Sequence, residues 1–426
     1  MRAQYDVIVI GGGTAGVVAA IQAGRAGCSV LLVEKNAMLG GTMTVQGINA
    51  PAHFFAWGKQ IIAGIPWELV RTTLVESGQP LPAPAISAGT AKPRHVIIDR
   101  TVFAIVCDMA VLAAGVELLF HVMPAAVAFE HDGWKVSLCT KTGLQHVKST
   151  VLIDATGDAN VVQMAGLEVN RPSIVQPATL QMYCSGYDAD TLNYAALKGA
   201  AEKAIAAGEL KTTDISWRNT GPESFLRSHG CNANHVRASN AETSEGKTLA
   251  EVEARQAVLR MYRFFRAQPG LENFHVDWIC SETGIRETVT IKGRATVTTH
   301  DYESGARYDD ALCYAFYPVD EHLNDGGGTN FRVLAANVLP SIPRGALLPE
   351  HSRFLITAGR CLSSEREANS GLRVECPCMA MGQAAGAMAA LSVTSGLSPE
   401  ALPLNEIHAL LRAHGAVVPY DLDVSA

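Results

Sequence analysis

Residues 5–34 read YDVIVIGGGTAGVVAAIQAGRAGCSVLLVE, and they restrict the fold more than any other stretch. An almost wholly apolar run, a glycine-rich turn, a helix-length segment of small residues and a second apolar run follow one another without a break. Strands with no polar alternation belong to a parallel sheet covered on both faces, and a parallel pair needs a helical crossover. Gly11, Gly13 and Gly16 form G-x-G-x-x-G at the strand-to-helix turn. The first glycine permits the tight turn, the second lets a pyrophosphate approach the backbone, and the third packs the helix on the strand. The helix start then offers free N–H groups to phosphates. Glu34 closes the second run, 23 residues after Gly11, where a carboxylate binds ribose hydroxyls and disfavours a 2′-phosphate. A dinucleotide site is expected; NAD and FAD are not separable from this motif.

The 426 residues leave room for two or three domains. Hydrophobic residues make up 48% and charged ones 18%, enough for a large core. A formal charge of -7 without any Lys/Arg block points away from nucleic acid. The longest apolar stretch, 101–120, carries Asp108 and Glu117 and breaks at Gly115, so no membrane span is expected. The first strand-like run begins at residue 5 and leaves no room for a secretion signal ahead of it. Ten irregularly spaced cysteines then read as reduced thiols, and a cytoplasmic enzyme is the expectation.

Residues 37–95, rich in Gly, Pro and Ala, are expected to loop over the surface of a site. A helical pattern from Asp99 leads into AGVELLFHV, WKVSLCT and VLIDATG (151–157), in the style of the first unit. Between about 170 and 340 aromatics, His, Trp and Arg gather, with a polar helical stretch near 242–267. That stretch reads as a solvated face rather than a dimer contact; a homo-oligomer is left open. FLITAG (354–359) and the helix beyond it return to the first style. The fold class is therefore α/β: a Rossmann-like dinucleotide-binding domain, a parallel sheet with helices, built from the discontinuous segments 1–165 and 341–426. Residues 166–340 would form an inserted α+β substrate or cap domain. KNAMLGGTMT brings Gly40, Gly41 and Thr42 soon after the ribose residue, and Ala155-Thr156-Gly157-Asp158 follows a strand. A ligand as long as FAD needs backbone contacts from several distant segments, so FAD is the expected cofactor.

Together, ATGD, GIRETVTIKGRATVTTHD (284–301), SGARYDDALCYAFYPVD (304–320) and AGRCLSSEREANSGLRVECPCMAMGQAAG (358–386) resemble the FAD-dependent oxidoreductases of the glutathione-reductase-like superfamily. More distantly the chain is similar to the flavoprotein subunits of fumarate reductase and succinate dehydrogenase. The resemblance runs over about residues 5–45, 95–165 and 280–392. It implies that Gly359 and Arg360 meet the ribityl chain. It also implies a helix starting near Cys378, with Met379 in its first turn, aimed at the pyrimidine side of the flavin. The partial positive charge there favours the negative charge of reduced flavin. On that reading Cys376-Pro377-Cys378 is part of the cofactor floor; no second Cys pair or His doublet supplies a metal site, and no metal is expected. The expected cofactor residues are Gly11, Gly13, Thr14, Ala15, Gly16, Glu34, Lys35, Gly41, Thr42, Val127, Ala155, Thr156, Gly157, Gly359, Arg360, Cys378 and Met379. Where succinate dehydrogenase-like proteins tether FAD through a His, this chain has Gly41 and Thr42, so the FAD is expected to be non-covalent.

Flavin chemistry asks the protein to hold a hydride donor near N5 and to manage one proton. Arg286, in GIRET, matches the family motif and can clamp a carboxylate or oxyanion, with an ion pair to Glu287 or another acid as the structural alternative. Arg366 stands where relatives often carry a His; it is no base at neutral pH but can hold an anion. Arg373 matches the family and reads as cofactor-supporting. Tyr314 and Tyr317 are proton-relay candidates or packing, and His300 and His322 are candidate bases. The expected function is an FAD-dependent oxidoreductase moving a hydride between a small polar metabolite and flavin N5. An electron-transfer flavoprotein subunit serving a protein partner is the alternative, and an FAD monooxygenase a weaker one.

Overall fold

The two apolar runs form β1 (Gln4–Ile10) and β2 (Val30–Glu34), paired in parallel. The computed structural model in which they are seen describes residues 1–82, 96–131, 133–215, 221–230, 234–324 and 328–422. β3 (Glu117–Phe120) adds in parallel beside β2. β4 (Met123–Glu130) and β5 (Gly133–Thr140) make an antiparallel meander into β6 (Gly143–Asp154), and β7 (Leu355–Thr357) joins last. The order is β3-β2-β1-β6-β5-β4, with β7 also on β6. β6 changes partners along its length. Its first half pairs antiparallel with β5, and its second half pairs parallel with β1 and β7. The indole of Trp134 donates to the carbonyls of Arg353 and Phe354, each at 3.1 Å, just ahead of the point where β7 joins β6. The last four residues of β6 are buried, as a strand covered on both faces requires.

α1 (Thr14–Arg25) is buried over its first ten residues. The stretch read as a loop contains α2 (Ile65–Glu76), which buries Ile65, Leu69, Val70 and Leu74 at helical spacing behind Pro66 in its first turn. The Gly and Pro flanking this pattern masked it; residues 83–95 of the same stretch lie outside the described residues. α3 (Arg100–Ala113) starts at Asp99, whose carboxylate accepts from the N–H groups of Thr101 (2.8 Å) and Val102 (3.0 Å). α4 (Ser244–Arg266) is the polar stretch; one face is solvated, the other buries Ala250, Ala254, Ala257, Met261 and Phe265. α5 (Arg366–Leu372) leads into α6 (Glu375–Ser395). α6 therefore begins three residues before Cys378. Pro377 looks like a break, but in the first turn its missing N–H would have had no partner anyway.

Seventeen of the 21 residues of α6 are buried. It is long and apolar enough to cross a membrane, yet it lies inside the core against α1. A Cβ at Gly382 would stand 2.2 Å from the Ala15 carbonyl, and one at Gly386 2.4 Å from that of Ala19. Only glycine lets the two backbones meet this closely. The Gln383 amide donates to Gln22 (3.1 Å), so the one polar pair in the seam is satisfied.

The main core draws on residues from Tyr5 to Val418 and includes side chains from 289 to 339, which the sequence reading allots to the insert. Two smaller clusters lie within 178–285, one built around Phe225, Phe265 and Phe274, the other around Ala178, Leu180 and Ile285. α4 supplies both. Substituting Gly382→Val should lower the denaturant midpoint, at a cost of about 1–3 kcal/mol in stability. Gly199→Ala, in open space on helix Tyr194–Ala206, should hold or raise it. Equal effects in an unfolding titration would show that the α1–α6 approach is not the tight contact described.

Candidate active site

Across the sheet, β2, β1, β6 and β7 stand side by side. Their C-terminal ends present Glu34, Gly11, Ala155 to Asp158, and Gly359 with Arg360 along one edge of a cleft of 380 Å³. Neighbouring strands are about 4.8 Å apart, so the edge suits an elongated ligand lying crosswise. Glu242, Ser244, Glu282, Ile285 and Arg286 line it from the insert and its return.

The three glycines of the first turn divide the work. Gly11 has φ +106°, and a Cβ there would stand 2.4 Å from the Ala155 carbonyl. One at Gly16 would stand 1.8 Å from the Gly11 carbonyl, so Gly16 serves helix packing and does not line the cleft. A Cβ at Gly13 would meet nothing within 4 Å, which leaves that part of the cleft open for a ligand to approach the backbone. No side chain caps the start of α1, so its first N–H groups remain available to phosphate oxygens. The buried Glu34 carboxylate accepts from Gly12 N–H (2.7 Å) and Asn36 N–H (2.8 Å), which fixes it while each oxygen keeps a lone pair for a hydroxyl. Lys35 pairs with Glu282 and ties the sheet edge to the insert. Gly41 packs on Gly13, and Thr42 lines the cleft beside it.

Behind the second loop, buried Asp154 accepts from Thr156 N–H (3.0 Å), Thr156 O–H (2.7 Å) and Val162 N–H (3.1 Å), which shapes the ATGD turn. Arg360 pairs with Asp158, while its Nε is buried without a partner. Arg373 has a similarly orphaned Nε, with Nη2 on Gln176 (3.2 Å) and the Asp320 carbonyl (3.3 Å). An open glycine cradle, a fixed ribose carboxylate and two buried unpartnered guanidinium nitrogens together fit FAD.

The far end of the cleft holds Arg286, Arg373, Glu375 and Cys378. Arg286 donates to the Pro177 carbonyl (2.7 Å) and Thr179 Oγ1 (2.8 Å). Burial, then the charge of Arg373, push Arg286 down to about 9, which leaves it charged at neutral pH. Behind it, burial pushes Asp320 up, but the hydrogen bond from His322 and the charges of His322, Arg373 and Arg286 outweigh that and hold it at about 2. Burial and Arg286 push His322 down to about 4, so it is neutral near pH 7 and only weakly basic. Two guanidiniums thus face one carboxylate and a neutral imidazole. For Glu375 burial wins: the helix start, worth about 0.3–1 kcal/mol, and Arg373 both favour the anion, yet the carboxyl is pushed up to about 7. That shift corresponds to about 3 kcal/mol against ionisation.

Of the expected cofactor residues, Gly16, Val127 and Met379 do not line the cleft. Val127 faces its ladder partner Val136, and the cleft is lined instead by Val122, Met123 and Pro124; Met379 is turned into the core. Of the expected catalytic residues only Arg286 lines the cleft. Arg366 Nε donates to both Glu287 oxygens (3.0 and 3.1 Å) and Nη1 reaches Glu321, so it clamps two acids beside a separate pocket of 170 Å³. Tyr314 is buried, its hydroxyl accepting from Tyr420 N–H (2.6 Å), and Tyr317 stacks on His53. His300 is exposed on helix Thr299–Ser304. Glu375, Gln46, Asp158 and Glu282 line the cleft without being expected there; Asp158 and Glu375 lie within motif stretches, Gln46 and Glu282 outside them. Cys376 and Cys378 are free, buried thiols bonded to backbone carbonyls. Among the described residues no group of three or more His, Cys, Asp or Glu is placed to hold a metal ion.

The chain is similar to digeranylgeranylglycerophospholipid reductase 2 of Methanothermobacter thermautotrophicus, 27% identical over 189 residues, 44% of this chain and 48% of that protein. It is also similar to the thiamine thiazole synthase of Aeropyrum pernix, 33% identical over 99 residues, 22% of this chain and 37% of the synthase. It thus spans about half or less of the length of these curated relatives. Among solved structures, a geranylgeranyl bacteriochlorophyll reductase-like protein from Thermoplasma acidophilum aligns with a TM-score of 0.44 at 14% identity, over 96% of this chain and 83% of that one. The profile described as FAD dependent oxidoreductase matches residues 6–411, nearly the whole chain, and the protein therefore belongs to the FAD-dependent oxidoreductase family, with FAD as its cofactor.

Proposed function

We propose that the protein transfers a hydride between FAD and a small polar metabolite that carries a carboxylate or similar anionic group. The observation that carries this reading is the pair of arginines, Arg286 and Arg373, at the α6 end of the cleft, with Asp320 as the carboxylate set against them. A buried cation pushed below its ordinary range gains by binding an anion, and guanidinium donors match a carboxylate in geometry.

FAD, once bound, supplies the hydride acceptor or donor. Glu34 would hold the adenosine ribose, the first turn of α1 the phosphates, and Gly359 would admit the chain between phosphates and ring system. Arg286, braced by Pro177 and Thr179, would orient the substrate anion, and Arg373, braced by Gln176 and the Asp320 carbonyl, would support it. Glu242, Ser244 and Glu282 would close the mouth and limit water. We also propose that FAD is held without a covalent bond. The described lining includes no His or Tyr, and burial keeps the Cys378 thiol well above the usual thiol range, hence protonated and unreactive.

Purified protein should be yellow, and acid precipitation should leave the flavin in the supernatant; flavin in the pellet would contradict non-covalent binding. In anaerobic mixing, small carboxylates should exchange electrons with the flavin where their methyl esters do not. Arg286→Lys should weaken the response about 10- to 100-fold in apparent affinity, the scale of one charged hydrogen-bonded contact. The digeranylgeranylglycerophospholipid reductases are named for a lipid substrate. Reduction of such a lipid with no response to any carboxylate, or an Arg286→Lys protein indistinguishable from native, would sink the anionic-metabolite reading. Turnover only with a protein partner would favour the electron-transfer alternative.

A further inference from the structure

Glu375 has no part in the scheme above, yet it is 8% exposed and lines the cleft at the first turn of α6. Sheet order fixes which end of the cleft this is. Glu34 stands at β2; the turn after β1, the ATGD loop after β6 and Gly359 after β7 follow in line, and the first turn of α6 lines the same cleft beside Arg373. A dinucleotide with its ribose at Glu34 and its phosphates at α1 extends its ring system toward Glu375.

We propose that Glu375, as a neutral acid, donates its O–H to the negative charge that two-electron reduction adds to the bound ring system. The groups around it allow this. Arg373 is the nearby cation, the thiols of Cys376 and Cys378 on its own helix are kept protonated by burial, and Arg360 is engaged with Asp158 at the sheet edge. Cys313, on strand Ala311–Tyr314, is likewise a protonated buried thiol. A helix start favours an anion on the ligand, but an ionised carboxylate in the first turn would oppose it. A protonated one adds to it. Burial, which holds the carboxyl up to about 7, supplies that form below that pH.

The proton balance follows. A hydride brings two electrons and one proton and leaves one added negative charge on the cofactor. The O–H bond of Glu375 does not break; it is strengthened as a donor, so reduction raises the proton affinity of Glu375. Below the value it has before reduction, each pair of electrons brings one proton. Between that value and the higher one it has after reduction, the carboxylate takes up a second proton from water; above both, the balance returns to one.

The inference rests on FAD occupying this cleft, and the experiment separates the two. In the native holoprotein, the FAD midpoint potential measured from about pH 5 to 9 should fall with the slope of one proton per two electrons at low pH. It should steepen to two near pH 7. Free flavin bends the other way, becoming shallower as pH rises. Glu375→Gln, neutral at every pH, should give one proton per two electrons throughout, and Glu375→Asp should restore a displaced bend. A native line that nowhere steepens as pH rises overturns the role of Glu375 even if the Gln variant fails to fold. So does a steepening that survives in Glu375→Gln. Protein that stays colourless with added FAD overturns the placement of the cofactor itself.

Discussion

The absence of a side chain at three positions holds the molecule together: Gly16 against the turn after β1, and Gly382 and Gly386 against α1. Each contact brings backbone to backbone at a distance no Cβ could survive. The turn, α1 and α6 are thereby stacked without slack. Because α1 is pinned to the sheet edge and α6 is pinned to α1, both helix starts open on the same cleft. The positive ends of two helices then act on one ligand, an arrangement neither helix could secure alone.

Electrostatics decides what that frame can hold. The cleft is not simply basic. Lys35 is matched by Glu282, and Arg360 by Asp158, while burial lowers the charge affinity of Lys247 next to Glu282 and Glu251. The first pair joins the insert to the sheet, the second ties two loops of the sheet edge, and together they leave the uncompensated charge at the Arg286 and Arg373 end. Pairs of this kind contribute little net stability, because solvent screens the exposed one and desolvation offsets attraction in the buried one. Their effect lies in where they leave a surplus.

The parts legible in the sequence are those whose cause is local. The G-x-G-x-x-G turn, Glu34 and the ATGD loop are read within a few residues of themselves, and each lines or shapes the cleft. Arg286 was legible through its motif, but its partners Pro177 and Thr179 come from the far side of the insert. Arg366 shows the converse: it invites an anion-binding role until Glu287 and Glu321, 79 and 45 residues away, take up its guanidinium. Tyr314 and His300 carry the right chemistry, but the strand pairing and an exposed helix turn point them elsewhere. Glu375 was overlooked because an acid in a first turn is ordinary, and its burial depends on residues from across the chain. Pro377 misled by its usual meaning, which does not hold in the first turn of a helix.

β6 meets β1 along its second half and receives β7 beside it, although everything from Ala155 to Phe354 lies between those two strands in the chain. The polypeptide therefore leaves the sheet and re-enters it at adjacent places. Such a junction sets no limit on the size or shape of what departs and returns. The insert can lengthen, shrink or be rebuilt over the course of descent while the register of β1, β6 and β7 stays as it is.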